Sequence, residues 1–311
     1  MRELRIIFMG TPDFAVPTLQ ILVENKYNVV AVLTAPDKPA GRGQKLHQSP
    51  VKEYAVAQGI PVLQPTNLKS EAFLEELRSY KANLQIIVAF RMLPEVVWAM
   101  PELGSFNIHG SLLPQYRGAA PINWAIINGE KETGVTSFFL KHEIDTGNII
   151  FQSRVPVLEE DNFGSMYEKL KQEGARLALR TVQAIEHDDV QPQPQPATGD
   201  IKHAPKIYKE TCEINWNQPA TTVRNFVRGL SPYPAAWTRL GDKTFKIFKV
   251  EVWENTADTL APGQLTTDNK TFLHVQTAAG TVAILDLQME GKKRMPLQDL
   301  LRGYSFKAEH V

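Results

Sequence analysis

The sequence predicts an α/β protein in which a mostly parallel sheet is followed by a small antiparallel β-structure. Two observations carry this prediction. In the first part of the chain, short β-branched apolar runs alternate with helix-like stretches, which is typical of a parallel sheet covered by crossover helices. In the last part, short alternating segments are separated by Gly, Asp and Asn, as in a small antiparallel barrel or sandwich.

Five apolar runs in the first part of the chain predict strands. They are LRIIFM (4–9), NVVAVLT (28–34), NLQIIVAF (83–90), GVTSFFL (134–140) and NIIFQ (148–152). The stretch 14–24 between the first two runs has helical character. Residues 163–187 place apolar side chains among many charges and predict one long amphipathic helix, which closes the first domain.

Proline alternates with glutamine in the segment that follows the long helix, DDVQPQPQPATGD. No hydrophobic period survives there, which predicts an extended linker. After a short helix at 221–230, the runs WTRLG, TFKIFKVEVW, FLHVQT and TVAILDLQM predict the strands of a second domain. The predicted boundaries are 1–189 for the first domain, 190–205 for the linker and 206–311 for the second domain.

Length and composition favour two globular domains and disfavour several other classes of protein. The chain has 311 residues, 43% of them apolar, which is more than one ordinary core organises. No stretch approaches the ~18 apolar residues of a membrane span, and the N-terminus lacks a secretory pattern, so we expect a cytoplasmic protein. The single cysteine, Cys212, cannot form an internal disulfide, and the seven histidines show no zinc-ligand spacing, so no metal is expected.

The net charge is zero, yet its distribution is uneven. Residues 206–311 carry 14 Lys and Arg against 11 Asp and Glu. This surplus fits either an ordinary mixed surface or an anion-binding face, and the sequence alone leaves both open.

The segment 35–50, APDKPAGRGQKLHQSP, is long for a connection between a strand and a helix, which usually takes ~2 to 6 residues. We call it the basic loop because Lys38, Arg42 and Lys45 stand in it among glycines and prolines. Lys and Arg side chains release counterions when they bind a polyanion, so such a loop can lie along phosphates. A solvated, mobile loop is the alternative.

Polar side chains lie where two of the predicted strands end. In FNIHG, Asn107 and His109 are two residues apart, so both project from one face of a strand, at the edge where open parallel sheets bind ligands. In HEIDTG, Asp145 stands in a turn after the next strand and can approach the same edge. An amide donor, a group that titrates near neutrality and a carboxylate suit acyl transfer. No GxSxG nucleophile is present, which predicts direct transfer to an external nucleophile.

The run FNIHGSLLPQYRGAAPI followed by HEIDTG matches, in order and spacing, the Asn, His and Asp signature of the folate-dependent formyltransferases. Over nearly its whole length the chain resembles the branch of that family that acts on methionyl-tRNA, through GTPDFAVPTL, PDKPAGRGQKL, VAFRMLP and KIYKETCEINWNQPATTVRNFVRGLSPYPAAW. The resemblance implies a Rossmann-like formyltransferase domain with a mostly parallel sheet, followed by a small C-terminal OB-like β-barrel that binds tRNA. Gln115 departs from the family pattern, since many relatives have a basic residue there.

The resemblance also implies a reaction. The formyl group of 10-formyltetrahydrofolate is transferred to the α-amine of initiator methionyl-tRNA, giving N-formylmethionyl-tRNA for translation initiation. Asn107 and His109 are then expected to donate hydrogen bonds to the developing oxyanion. Asp145 is expected to orient His109 or a bound water and to help move the proton from the attacking nitrogen.

Substrate-binding residues follow from the same resemblance. The folate is expected to be cradled by Ser111, Leu112, Leu113 and Pro114, with Phe90, Met92 and Leu93 as the wall of its pterin pocket. Each of those last three residues, taken alone, also fits a core position. The tRNA is expected to be contacted by Lys38, Arg42 and Lys45. No metal cofactor is implied, and a monomer is expected.

Two other functions stay open on the sequence alone. A formyltransferase acting on a small amine, such as glycinamide ribonucleotide or an amino-sugar nucleotide, would keep the three polar residues but has no need of the basic loop. A non-catalytic RNA-binding protein with a degenerate first domain would use the barrel alone. The intact Asn, His and Asp set argues against this last function.

Overall fold

The computed structural model describes residues 2–40, 45–196, 199–253 and 260–307. The chain folds into two compact units. The first unit contains the chain up to Gly118 together with Thr133–Val155 and Tyr167–His203. The second unit contains Ala119–Glu132, Pro156–Met166 and the chain from Ala204 onward. The boundaries expected from the sequence, which treat each domain as one continuous segment, stay a prediction.

The first ten strands of the described chain, in order, are β1 Arg5–Gly10, β2 Asn28–Leu33, β3 Lys38–Ala40, β4 Lys45–His47, β5 Val62–Leu63, β6 Leu84–Val88, β7 Ser105–His109, β8 Arg117–Gly118, β9 Glu132–Phe139 and β10 Ile149–Pro156. The helices among and after them are α1 Val16–Glu24, α2 Pro50–Ala57, α3 Glu71–Ser79, α4 Glu95–Trp98, α5 Pro121–Ile127 and α6 Phe163–Glu186. A short 3-10 helix, Asp13–Ala15, precedes α1.

Seven of these strands form the sheet of the first unit, in the order β10-β9-β7-β6-β1-β2-β5. The pairs from β7 through β6, β1 and β2 to β5 are parallel, whereas β9 runs antiparallel to β7. Every residue of β6 is buried, as expected for a strand with both faces of the sheet covered. β7 lies between β6 and β9 and is therefore an interior strand. Its carboxyl end lies at the edge where open parallel sheets bind ligands.

Successive residues of a strand face opposite sides of the sheet, so apolar side chains project from both sides and helices cover them. One apolar cluster includes Ile7 and Met9 from alternate positions of β1, and Phe73, Leu74 and Leu77 from the apolar face of α3. The long helix α6 packs against β7, since a Cβ at Gly174 would lie 3.1 Å from Ile108 Cγ2. Helix α6 therefore covers the face of the sheet to which Ile108 of β7 belongs.

The second unit is built on an antiparallel sheet. After β11 His203–Ala204, the remaining described elements are a short 3-10 helix Glu210–Cys212, α7 Ala220–Leu230, β12 Ala236–Leu240, β13 Lys243–Trp253, β14 Leu265–Thr267, β15 Leu273–Gln276, β16 Thr281–Met289, β17 Met295–Pro296 and α8 Leu297–Leu301. The sheet order is β12-β13-β16-β15-β14, with β17 paired to β16. Irregular register between Ile247 and Val250 bends β13, which lets the sheet curl around its apolar core.

Two segments that precede the second domain in sequence are held in the second unit by hydrogen bonds. Asn123 of α5 donates to the Gly229 carbonyl of α7 at 2.8 Å. Arg228 is buried and its Nη1 donates to the carbonyls of Leu158 at 3.0 Å and Asp161 at 3.1 Å. This burial lowers the pKa of the Arg228 guanidinium.

The predicted fold class is confirmed: a mostly parallel α/β sheet is followed by a small antiparallel β-structure of barrel type. The run TVAILDLQM coincides with β16, and the long amphipathic helix with α6. Within the described ranges, none of the helices has the length and apolar character that crossing a membrane requires.

Candidate active site

Strand β7 carries Asn107 and His109 to the edge of the sheet. In the sheet register, Asn107 lies opposite Ile87 of β6 and Phe138 of β9, and His109 lies opposite Thr136 of β9. Because β7 is hydrogen-bonded on both sides, the direction of each side chain is set by the sheet and not by a mobile loop. This is the placement on one strand face that the sequence predicts.

A backbone carbonyl orients the imidazole of His109. His109 is 6% exposed as a whole residue, and its Nε2 lies 2.8 Å from the carbonyl oxygen of Tyr116. Since a carbonyl only accepts hydrogen bonds, we assign the proton of the neutral ring to Nε2. The other nitrogen, Nδ1, lies 3.9 Å from Asp145 Oδ2, which is longer than a hydrogen bond; at this distance the carboxylate attracts the ring only when the ring is protonated.

Asp145 approaches His109 from the turn that follows β9. Its carboxylate is 12% exposed, and Oδ2 accepts a hydrogen bond from the Gly118 backbone N–H at 2.9 Å. Asp145 has a φ of +55°, in the left-handed region, which Asp tolerates better than most residues. Two residues on, a Cβ at Gly147 would lie 1.5 Å from the Phe139 carbonyl oxygen, so the turn requires glycine there.

Asn107 has a buried polar atom without a partner. Its Oδ1 finds no hydrogen bond among the described residues. An unsatisfied buried polar atom costs ~1–3 kcal/mol, so its presence in a native structure calls for an explanation. The Asn107 oxygen, on the same strand face as His109, can therefore accept a hydrogen bond from a polar group of a substrate.

The loop 111–114, expected to cradle folate, is held by hydrogen bonds to the chain itself. Ser111 Oγ donates to the Gln115 carbonyl at 2.6 Å, so this hydroxyl already has an acceptor. Thr136 Oγ1 donates to the Ser111 carbonyl at 2.7 Å and accepts from the Leu113 N–H at 3.1 Å. Of the four residues, Ser111 and Leu113 are buried, and Leu112 and Pro114 are half-buried.

The expected pterin-pocket residues differ in exposure. Phe90 and Leu93 are partly buried against the apolar cluster that contains α3. Met92 is 72% exposed. Phe90 and Leu93 therefore have a packing role whatever else they do, whereas packing in the first unit does not account for Met92.

The basic loop contains the strands β3 and β4, which pair in an antiparallel hairpin with Lys38 opposite His47. Lys38 is exposed. The backbone of Lys45 pairs with that of Ala40. Arg42 lies outside the described residues.

A partly buried polar network anchors the base of the basic loop. Lys52 Nζ donates to Asp37 Oδ2 at 2.6 Å and to Gln64 Oε1 at 2.8 Å. Gln64 in turn donates to Asp37 Oδ1 at 2.8 Å and to the Ala35 carbonyl at 2.8 Å. The hydrogen bond from Lys52 lowers the pKa of the Asp37 carboxyl. The position at which the hairpin leaves the sheet is thereby fixed.

Sequence reasoning missed three groups around Asp145 and His109: the Tyr116 carbonyl, the Gly118 N–H and the side chain of Gln195. Backbone groups leave no signal in a sequence. Gln195 Nε2 donates to the carbonyls of Asp145 at 2.7 Å and Gly147 at 2.9 Å, although its Pro-Gln surroundings predict only a linker.

The remaining groups of chemical interest are the single cysteine and any side chains that could bind a metal. Cys212 is buried in the core of the second unit, where its Sγ donates to the Tyr208 carbonyl, and burial raises the pKa of its thiol. The part of the chain that the structure describes has no group of three or more His, Cys, Asp and Glu side chains that could hold a metal ion.

The chain is similar to known proteins in sequence. Residues 4–182 match the family model described as formyl transferase, and residues 206–305 match the model of its C-terminal domain. A Bacteroides fragilis protein named methionyl-tRNA formyltransferase is 56% identical over 309 residues, covering 97% of this chain and 95% of that protein.

Two solved structures are similar in fold. WlaRD, described as a sugar 3N-formyl transferase, matches with a TM-score of 0.68 at 20% identity, covering 94% of this chain and all of its own. HypX from Aquifex aeolicus, solved in complex with tetrahydrofolic acid, matches with a TM-score of 0.64 at 20% identity over 98% of this chain. This chain spans 49% of the HypX chain.

Proposed function

This chain belongs to the formyl transferase family, and we propose that it transfers the formyl group of 10-formyltetrahydrofolate to the α-amino group of initiator methionyl-tRNA. The product is N-formylmethionyl-tRNA, which serves translation initiation. The observation that carries the proposal is the 56% identity, along 97% of the chain, to a protein named methionyl-tRNA formyltransferase.

Asn107 and His109 stabilise the oxyanion in the proposed reaction. When the α-amine attacks the formyl carbon, the formyl oxygen becomes negatively charged, and donors in a water-poor site stabilise it strongly. The Asn107 amide supplies one donor through the hydrogens of its Nδ2. His109 Nε2 is committed to the Tyr116 carbonyl, so the ring donates through Nδ1 when that atom carries a proton.

Asp145 supplies the negative charge and the proton acceptor. Its carboxylate, 3.9 Å from His109 Nδ1, stabilises the positive charge of the protonated ring. The attacking nitrogen must lose a proton and N10 of the folate must gain one as the C–N10 bond breaks. The Asp145 carboxylate accepts the first proton and delivers the second, directly or through water. Its hydrogen bond from the Gly118 N–H, which holds it in one position, supports this role.

Folate binding is assigned to two regions of the chain. The folate lies against Ser111, Leu112, Leu113 and Pro114, and against Phe90, Met92 and Leu93. The exposed Met92 and the half-buried Leu112 and Pro114 support this assignment, since apolar side chains at a site mouth suit an aromatic ring.

The tRNA is bound by the basic loop, through Lys38, Arg42 and Lys45, and by the C-terminal OB-like domain. The anchored base of the basic loop and the exposure of Lys38 support the first contact. The enzyme works as a monomer in the cytoplasm, where initiator tRNA is charged.

Formylation of a small amine is not favoured. The sugar 3N-formyl transferase is 20% identical, a level at which the likeness concerns the fold alone. A non-catalytic RNA-binding protein is disfavoured by the approach of Asp145 to His109 and by the unpartnered side-chain oxygen of Asn107, because binding RNA requires neither.

The test is a formylation assay with purified protein and 10-formyltetrahydrofolate. The acceptors are initiator methionyl-tRNA, elongator methionyl-tRNA, uncharged initiator tRNA, glycinamide ribonucleotide and an amino-sugar nucleotide. Rapid formylation of the initiator methionyl-tRNA alone supports the proposal. Transfer to a small amine at a higher kcat/KM than to methionyl-tRNA would replace it.

A further inference from the structure

We propose that Gln195, which the sequence places in a linker, is a positioning residue that holds the Asp145 carboxylate in place; this inference rests on the proposed function. The Gln195 amide has two hydrogens, and both are used on the Asp145 turn. Nε2 lies 2.7 Å from the Asp145 carbonyl oxygen and 2.9 Å from that of Gly147. One side chain thus holds both ends of the short turn that carries the carboxylate.

The oxygen of the same amide reaches the other side of the site. Gln195 Oε1 accepts hydrogen bonds from Arg117 Nη2 at 2.6 Å and from Arg117 Nε at 3.1 Å. Gly118, which follows Arg117 in the chain, donates its N–H to Asp145 Oδ2. These hydrogen bonds form a closed ring. The Gln195 side chain donates to the Asp145 backbone and accepts from Arg117, and the neighbouring Gly118 donates to the Asp145 carboxylate.

The turn needs such support. Asp145 is in the left-handed region with a φ of +55°. Residues 141–144, which lead into it, are exposed and offer little packing of their own. A catalytic group displaced by ~1 Å can lose a factor of ~10² in rate, so hydrogen bonds that fix the turn matter to the chemistry.

Gln195 is presented by a stiff segment that is itself held. Prolines at 192, 194 and 196 restrict its backbone, so little backbone conformational freedom is lost when the side chain binds. Upstream, Gln193 and Ile149 exchange backbone hydrogen bonds at 2.9 and 2.8 Å. Downstream, the Lys202 N–H donates to Gln115 Oε1 at 2.8 Å. The segment is therefore built onto the first unit, and Gln115 is one of its anchors.

Two substitutions separate the hydrogen bonds of Gln195. Gln195→Met keeps the length of the side chain and removes every hydrogen bond. Gln195→Glu keeps an acceptor for Arg117 but cannot donate to the two carbonyls of the turn. We expect both variants to lower kcat by roughly tenfold to a hundredfold, with KM for each substrate within about twofold of wild type. Gln193→Met is the matched control and leaves kcat unchanged, because the Gln193 side chain is exposed and, among the described residues, bonds only the Gln191 carbonyl.

A double-mutant cycle distinguishes positioning from general stability. If Gln195 acts through Asp145, then Gln195→Met in an Asp145→Asn background lowers kcat by less than about twofold further. Multiplication of the two single effects would overturn the proposal, as would wild-type kcat in both Gln195 variants. Should Gln195→Met fail to fold, shown by its melting curve, the cycle is run with Gln195→Glu.

A second readout does not depend on catalysis. The Gly118 N–H is protected by Asp145 Oδ2, so its hydrogen exchange should accelerate in Gln195→Met and stay at the wild-type rate in Gln193→Met. Unchanged exchange at Gly118 overturns the inference. If the wild-type protein formylates no acceptor, the proposed function fails, and the exchange result still decides whether Gln195 holds the turn.

Discussion

Replacing Asp145 by Asn removes one charge from the candidate site and changes little else. Asn has nearly the same size and keeps an oxygen that can accept the Gly118 N–H, so the turn is preserved. What is lost is the attraction between the carboxylate and a protonated His109, together with the capacity to take up a proton. We therefore expect a folded but slow enzyme.

The size of the loss follows from the geometry. At 3.9 Å, with an effective dielectric constant of about 20, Coulomb's law gives about 4 kcal/mol between the two charges. Only 7% of the His109 side chain and 12% of the Asp145 side chain are exposed, so water screens the pair weakly. An effect of this size in the transition state is a factor of about 10³, and we expect kcat to fall by about 10² to 10³.

The assay is single-turnover formylation of initiator methionyl-tRNA at saturating folate, with melting temperature as the measure of folding. Asp188→Asn is the control, because Asp188 is 70% exposed and pairs with Arg2 on the surface. It should react at the wild-type rate. An Asp145→Asn protein with native melting and a rate within about threefold of wild type would refute the electrostatic reasoning.

Three further predictions follow from other features. Asn107→Ala should lower kcat by about 10² or more with an unchanged circular dichroism spectrum, since one oxyanion donor is lost; normal turnover would exclude that role. Changing the three basic residues of the basic loop to Ala should raise KM for tRNA and flatten its salt dependence by about 1 in log-log slope per phosphate contact, with folate binding unchanged; a wild-type slope contradicts the contact. Hydrogen bonds from Lys131 and Arg224 lower the pKa of Glu159 from 4.5 to about 2, so its stabilisation is present above pH 4.5 and lost as the pH falls toward 2. The side chain is 64% exposed, so Glu159→Gln should lower the free energy of unfolding by only about 0.5–1 kcal/mol at neutral pH, and urea titrations should show the difference vanish near pH 2.

The fold class and the elements of the candidate site were predictable because local patterns determine them. Side chains alternate along a strand, so the apolar runs indicated buried strands, and the spacing of Asn107 and His109 placed them on one face of β7. Charges interrupted by apolar residues at helical spacing marked α6. A residue's own neighbours in sequence are enough for such inferences.

The partners of those residues were decided by tertiary structure. The hydrogen bond from His109 goes to the Tyr116 carbonyl, and backbone groups look alike in every sequence. The proline-glutamine segment predicts no more than an extended chain, yet the return of that chain to the sheet brings Gln195 onto the Asp145 turn, 50 residues away.

The grouping of the chain into units has the same origin. The segments 119–132 and 156–166 precede the linker in sequence but belong to the second unit, where Asn123 and Arg228 hold them by hydrogen bonds. Local periodicity determined which elements form, because it depends on the spacing of side chains along one strand or helix. Interactions between residues far apart in sequence depend on the path of the whole chain, so only the tertiary structure decided which groups surround Asp145 and His109.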